Sequence, residues 1–198
     1  MAGWRVVLAR PDLAQAGASA PPLAHPEDPD FLELPVNPSS YVSVASLILA
    51  VGNAFGDLDA AALVQDSATC RLDLLGATAG EVESSLHREV LGPALLAREL
   101  LRGFSARGRG SLLMACVEAE TGSLGPAACL AASAFRGLGE GIFTASKESP
   151  WEAIGILDKG ANPQETARLA IRLLGEKKGG KTGRWLKFTG KPGIFGVF

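Results

Sequence analysis

The spacing of apolar positions changes repeatedly along the chain. Trp4 to Ala9 is a short apolar run that stops at Arg10-Pro11, the pattern of a buried strand. Residues 11 to 30 carry five prolines (Pro11, Pro21, Pro22, Pro26 and Pro29), a density that permits one helical turn over Asp12 to Gly17 and no long helix. Phe31 to Val36 predicts a second strand. Asn37-Pro38-Ser39-Ser40 then reads as a turn and helix cap. From Tyr41 to Phe55 the period becomes helical, with Val44, Leu47, Ile48 and Val51 on one face and Gly56 as the stop.

The second half repeats the alternation. Ala60 to Val64 predicts a third strand and Asp66 to Gly76 a loop. Gly80 to Phe104 is the longest helical pattern, its broad apolar face made by Leu86, Val90, Ala94, Leu95, Ala97 and Leu101. Ser111 to Val117 predicts a fourth strand. Ala127 to Ser146 is another helix, whose first half is small and apolar (Ala127, Ala128, Ala131, Ala132, Ala134), which implies a closely packed neighbour. Ala153 to Leu157 is a fifth strand. Pro163 to Gly175 is a helix capped by Asn162, and Trp185 to Phe188 is a last strand before the apolar tail Gly193 to Phe198. Strands alternating with helices predict a three-layer α/β fold with a mainly parallel sheet. No repeat, low-complexity segment or linker divides the chain, so residues 1–198 are expected to form one domain.

Composition narrows the function classes. The 198 residues are 47% hydrophobic and 20% charged, which excludes a disordered chain. A net charge of −2 provides no basic field for nucleic acid. No apolar run is long enough for a membrane span or a signal-peptide core, so a soluble cytoplasmic protein is expected. Three cysteines without a CxxC pair argue against a disulfide framework or zinc site. Cys70, Cys116 and Cys129 read as small buried residues. His25 and His87 are too few and too far apart in sequence to suggest a metal site.

Several segments, in order, resemble the short-chain dehydrogenase/reductases. Phe31-Leu32-Glu33-Leu34-Pro35-Val36-Asn37-Pro38 resembles that family's strand ending in Asp-Val-Thr. Phe55-Gly56-Asp57-Leu58-Asp59 resembles the turn leading into its Asn-Asn-Ala-Gly strand. Arg88-Glu89-Val90-Leu91-Gly92-Pro93 is similar to the Asn-Leu-x-Gly segment of its fourth helix. Gly110 to Cys116 is similar to the strand carrying the catalytic serine, and Asn162 to Ala167 with Gly183 to Phe188 resembles the last helix and strand. The resemblance runs from about Val6 to Phe188. It implies a Rossmann-like, doubly wound parallel sheet, here truncated.

The departures bear on function. The family holds NAD(P) by a glycine-rich turn after its first strand, where backbone N–H groups meet the pyrophosphate. No GxxxGxG or GxGxxG lies near the start of this chain, and Pro11 removes an N–H directly after the strand. Either the family's first strand–helix unit is missing, or residues 4 to 9 are its first strand and the next unit is deleted. At family spacing Cys116 takes the serine position, Cys129 the tyrosine position and Ser133 the lysine position, while Glu89 replaces the helix asparagine. Gln65-Asp66-Ser67-Ala68 replaces Asn-Asn-Ala-Gly, and Asn37 replaces the adenine-side aspartate. A thiol cannot replace a lysine-tuned phenol, and Ser133 brings no charge. Phe143-Thr144-Ala145-Ser146-Lys147 mimics the Tyr-x-x-Ser-Lys motif, but Phe143 has no proton to give. The last helix starts directly at Asn162-Pro163, where the family inserts a substrate lid.

The resemblance therefore implies a shell without its chemistry, with no catalytic, cofactor-binding or metal residues and no cofactor. Its expected role is a structural or regulatory subunit. The implied partners are a second copy or an active dehydrogenase paralogue, met through residues 83–104, 131–142 and the tail from Ile194 to Phe198. The alternatives are a residual NAD(P)-dependent oxidoreductase acting on a carbonyl or alcohol, and a small-molecule sensor. Other polar residues have simple readings: Glu118 and Glu120 as loop carboxylates facing solvent, Asp66 and Asp73 as loop caps, and Lys177-Lys178-Gly179-Gly180-Lys181 as an exposed turn without P-loop spacing. Cys116 and Cys129 as a redox pair are weighed below small-residue packing.

Overall fold

The computed structural model describes residues 4–11, 29–118, 125–160, 162–175 and 183–189. Strands β1 (Val6–Arg10) and β2 (Phe31–Pro35) pair in parallel. Helix α1 (Tyr41–Phe55) follows, with the Ser40 hydroxyl accepting the Ser43 N–H at its start and Gly56 in a positive-φ conformation at its end. Strand β3 (Ala60–Asp66) leads through a 3-10 turn (Ser67–Thr69) and a loop to α2 (Ala79–Leu86) and α3 (Gly92–Arg107). Then come β4 (Ser111–Val117), α4 (Pro126–Ser146), β5 (Glu152–Asp158), α5 (Pro163–Gly175) and β6 (Trp185–Phe188).

Strands β3, β4, β5 and β6 form a four-stranded parallel sheet in that order, with Val64 opposite Ala115 and Ala115 opposite Ile156. Helices α3 and α4 cover one face. Ala97, Leu100 and Phe104 of α3 and Ala132, Phe135 and Ile142 of α4 pack on Leu63, Leu112, Met114 and Cys116. The other face meets α5, whose Leu169 and Leu173 lie on Leu113, Ala115, Ile154 and Ile156. The three layers are those the alternation implies.

Two expectations need correction. The sheet is not continuous: among the described residues β1 and β2 form their own two-stranded sheet. A third cluster seats it, in which Val44, Leu47 and Val51 of α1 bury Val7, Ala9 and Leu34 together with Leu58, Leu95 and Leu96. The long helix expected over 80–104 is also interrupted. A capping box of Thr78 and Glu81 starts α2, and a π turn over His87–Leu91 then carries an i to i−5 bond from the Gly92 N–H to the His87 carbonyl. Pro93 has no N–H to give to the carbonyl four residues back, so the regular ladder breaks beside it. Gly92 sits against Pro38 so closely that a Cβ would meet the proline ring. Smaller shifts affect the first strand, which is Val6–Arg10, and the short helical turn inside the 66–76 loop. Residues 12–17 and 193–198 lie outside the described residues.

Trp185 decides how closely α4 approaches the sheet. Its ring lies between Gly139 of α4 and Gly155 of β5, and Phe143 meets it edge-on with centroids 5.1 Å apart. A Cβ at Gly139 would collide with this ring, whereas one at Gly137, two residues earlier, would meet nothing within 4 Å. Gly139→Ala is therefore expected to lower stability by about 1–3 kcal/mol through overpacking. Gly137→Ala is expected to raise it by about 0.5–1 kcal/mol through helix propensity. Urea unfolding of the two variants beside the parent checks both signs.

Candidate functional site

In parallel α/β sheets, ligands meet the carboxyl ends of the strands. Here those ends carry polar side chains that pair with one another. At the end of β3, Gln65 Nε2 donates to Glu89 Oε2 at 3.1 Å, and Arg88 Nε donates to Glu89 Oε1 at 2.7 Å. The π turn places Glu89, which belongs to it, over this strand end. Ser67 Oγ, fully buried, donates to the Val117 carbonyl at 2.9 Å and ties the ends of β3 and β4 together. Beyond β4, Glu118 accepts from Arg136 NH1 at 2.9 Å and pairs with Lys159 Nζ at 3.3 Å. A second Arg136 nitrogen reaches Ser133 Oγ at 3.4 Å. At the end of β5, Thr166 Oγ1 donates to Asp158 Oδ2 at 2.5 Å.

The residues singled out at the family's catalytic positions separate in this arrangement. Cys116 is fully buried in the α3–α4 core. Burial, aided by the Glu118 charge and opposed by Arg136, pushes its thiol up to about 11. Cys129 is exposed on α4, which corrects the expectation that all three cysteines are interior, so Cys116 and Cys129 form no buried pair. Ser133 is an exposed helical residue that accepts from Arg136. Phe143 is a core residue against Trp185. Glu118, read from sequence as solvent-facing, is instead the shared partner of two cations. No local pattern ties it to Arg136 and Lys159, which come from α4 and the turn after β5. Asp73 does cap its loop, accepting the Leu75 N–H at 3.2 Å. Glu120 and residues 177–181 lie outside the described residues. Among the described residues no group of three or more metal-ligating side chains occurs, and no helix is long and apolar enough to cross a membrane.

Beside the strand ends, a shallow groove is lined by Leu72, Leu74, Val82, Leu86, Val90 and Leu130. Its enclosed space of about 40 Å³ is too small for a metabolite. Leucines nevertheless crowd around it: Leu86, Leu91 and Leu74 are partly exposed, Leu130 is 52% exposed and Leu75 is 97% exposed.

No family model matches the sequence, and no curated protein matches it. Solved structures do. A sorbitol-6-phosphate 2-dehydrogenase from Erwinia amylovora is 15% identical with a TM-score of 0.71, covering 98% of this chain and 92% of its own. A short chain dehydrogenase from Leptospira borgpetersenii with bound NAD+ is 13% identical with a TM-score of 0.75, covering 94% and 82%. A 3-oxoacyl-reductase structure from Bacillus thuringiensis is 12% identical with a TM-score of 0.68, covering 98% and 89%. The fold is therefore that of the short-chain dehydrogenases and reductases, as the segment resemblance implies.

That fold implies a nicotinamide dinucleotide, and the described residues do not match its needs. Arg10 and Pro11 end β1, and Arg10 is held by Glu33 at 2.8 Å. Asn37 spends its side chain capping the turn, where Oδ1 accepts the Ser39 N–H at 3.1 Å. Lys159, the cation next to the positive-φ Gly160 in the turn after β5, is paired with Glu118. The chain has one tyrosine, and it lies at the start of α1 with the Arg98 guanidinium 5.6 Å from its ring centroid. No phenol stands at the strand ends beside a lysine.

The raised Cys116 pKa has a definite sign for stability. Above about pH 9 the unfolded chain releases this proton while the folded chain keeps it, so stability falls as pH rises from 9 to about 11. The slope from this one group approaches about 1.4 kcal/mol per pH unit. In alkaline unfolding series, Cys116→Ala is expected to lose that part of the pH dependence. An alkylating reagent at pH 8 is expected to label Cys129 and to spare Cys116 until the chain unfolds.

Proposed function

We propose that this chain is a catalytically inactive short-chain-dehydrogenase-like subunit that serves a structural or regulatory role in a homo-oligomer or beside an active NAD(P)-dependent dehydrogenase. The observation that carries this reading is a contrast at one end of the sheet. Its polar groups pair among themselves, while the leucines around the neighbouring groove turn outward. An acid–base site needs a group left available to substrate, held near its working pKa. Burial instead pushes the Cys116 thiol up to about 11, and Glu89 and Glu118 are each held between partners. Contiguous exposed apolar surface of this kind marks an association site. The leucines come from α2, the π turn and α4, so two such faces meeting would build an isologous helical contact.

The fold's likeness to a dehydrogenase with bound NAD+ favours a second reading, a residual NAD(P)-dependent oxidoreductase acting on a carbonyl or alcohol. Calorimetric titration with NADH and NADPH separates the two. The subunit reading expects no saturable heat, meaning affinity weaker than about 1 mM. Saturable binding would support the oxidoreductase. In light scattering, Leu86→Glu with Leu130→Glu is expected to reduce an oligomer to the mass of one chain. Persistence of the assembly in that double variant would remove the groove from the reading.

A further inference from the structure

The four-stranded sheet ends at β6, where its side chains divide between the two layers. Leu186 lies in the α5 layer, and Trp185 packs with the α3–α4 core. Lys187, two residues on, turns to the same face as Trp185. It stands opposite Leu157, which also belongs to that core. The Trp185 ring fills the interval between Gly139 and Gly155. Beside that ring, a cleft of about 360 Å³ lies between α4 and the last strand. Phe143, Leu157 and Trp185 give it apolar walls, and Glu140, Thr144, Arg184 and Lys187 line it with polar groups. Its volume is in the range of small-molecule sites, unlike that of the leucine groove.

Two neighbouring residues of this lining carry N–H donors that nothing answers. Arg184 Nε and Trp185 Nε1 are both buried, and neither meets an acceptor among the described residues. Buried N–H groups nearly always pair, since an unanswered one has given up water for nothing. Trp151 shows the ordinary outcome for an indole in this core, its Nε1 donating to Ser105 Oγ at 3.0 Å. Among the described residues one other side-chain atom is stranded in this way, Arg107 Nε, and that guanidinium is already anchored by a 2.5 Å bond to the Leu58 carbonyl. Arg184 and Trp185 thus bring two unanswered donors to a single cleft.

Charge gives the missing acceptor its sign. Arg184 and Lys187 line the cleft against one carboxylate, Glu140. Gly183, at φ +79°, carries the chain into β6 so close to the end of α4 that a Cβ there would stand 3.3 Å from the Phe143 carbonyl and 3.9 Å from Lys147 Cε. A further ammonium side chain therefore arrives at the same end. A guanidinium edge offers Nε–H and a terminal N–H side by side, which matches the two oxygens of a carboxylate. The walls of Phe143, Leu157 and Trp185 suit a flat apolar body, which a bare hydrated anion does not have.

We propose that this cleft is a binding site for a small aromatic carboxylate of one or two rings. The carboxylate accepts from Arg184 Nε and Trp185 Nε1, with Lys187 supplying positive charge, and the ring lies against the apolar walls. The site shares no residue with the polar groups at the strand ends or with the leucine groove, so it stands whether or not the chain is inactive.

Titration of the full chain with naphthoate tests this, read by calorimetry and by the indole N–H signals in NMR. Saturable binding is expected, with a Kd below about 1 mM. The Trp185 indole signal is expected to move downfield, while that of Trp151, already bonded, stays in place. Naphthylmethanol, which keeps the rings and loses the charge, is expected to bind at least about tenfold more weakly. Inorganic phosphate, which keeps charge and loses the rings, is expected to give no saturable shift up to about 10 mM. Arg184→Gln is expected to weaken naphthoate at least about tenfold. Thr144→Trp, at an exposed position of α4 on the cleft, is expected to block naphthoate while leaving the melting temperature close to the parent's. No saturation, equal affinity for naphthylmethanol or phosphate, or binding that leaves the Trp185 signal unmoved would each overturn the proposal. Full affinity in a folded Thr144→Trp variant would overturn it as well.

Discussion

Strand β4 is buried on both faces and paired along both edges, and the other elements take their places from it. From Leu112 to Cys116 no residue reaches solvent, because odd and even positions enter different helical layers. That double burial explains why the run Ser111-Leu112-Leu113-Met114-Ala115-Cys116-Val117 is apolar without alternation. It also accounts for the Cys116 thiol, which burial pushes up to about 11. The position that ends a central strand is dry unless something opens it, and a thiol there stays protonated.

Much of the fold was legible because its signals are local. The helices Tyr41–Phe55 and Pro163–Gly175 and the strands Ser111–Val117 and Trp185–Phe188 have the bounds that their periodicity and caps imply. The features that were not legible depend on contacts between distant segments. The π turn arises where Pro93 breaks the ladder and Gly92 lies against Pro38, 54 residues earlier in the chain. The split sheet is a fact about pairing, and strand patterns carry no pairing partner. Sequence singles out Glu89, Cys116 and Ser133 but does not show that Gln65 bonds the first or that Arg136 bonds the last. Glu118 was misread because its two cations come from different elements.

Charge and hydrogen bonding tie the strand ends to the elements around them. Glu118 draws α4 and the turn after β5 together through Arg136 and Lys159. Glu89 fastens the π turn to β3 through Gln65. These pairs hold neighbouring layers in register. Such partly buried networks favour one arrangement of the layers over its neighbours, because removing a member leaves a polar group without its partner.

The two-stranded ribbon also bears on cooperativity. Among the described residues no ladder of backbone bonds joins it to the larger sheet, and side chains such as Leu58, Leu95 and Leu96 pack across the shared helical floor. Dispersion and burial hold such a joint, and both fade together once the layers part by an ångström or so. The elements β1, β2 and α1 thus form a natural unit of sub-global opening, a foldon whose release costs less than unfolding β4. The chain is one fold in its architecture and two in the order in which it comes apart.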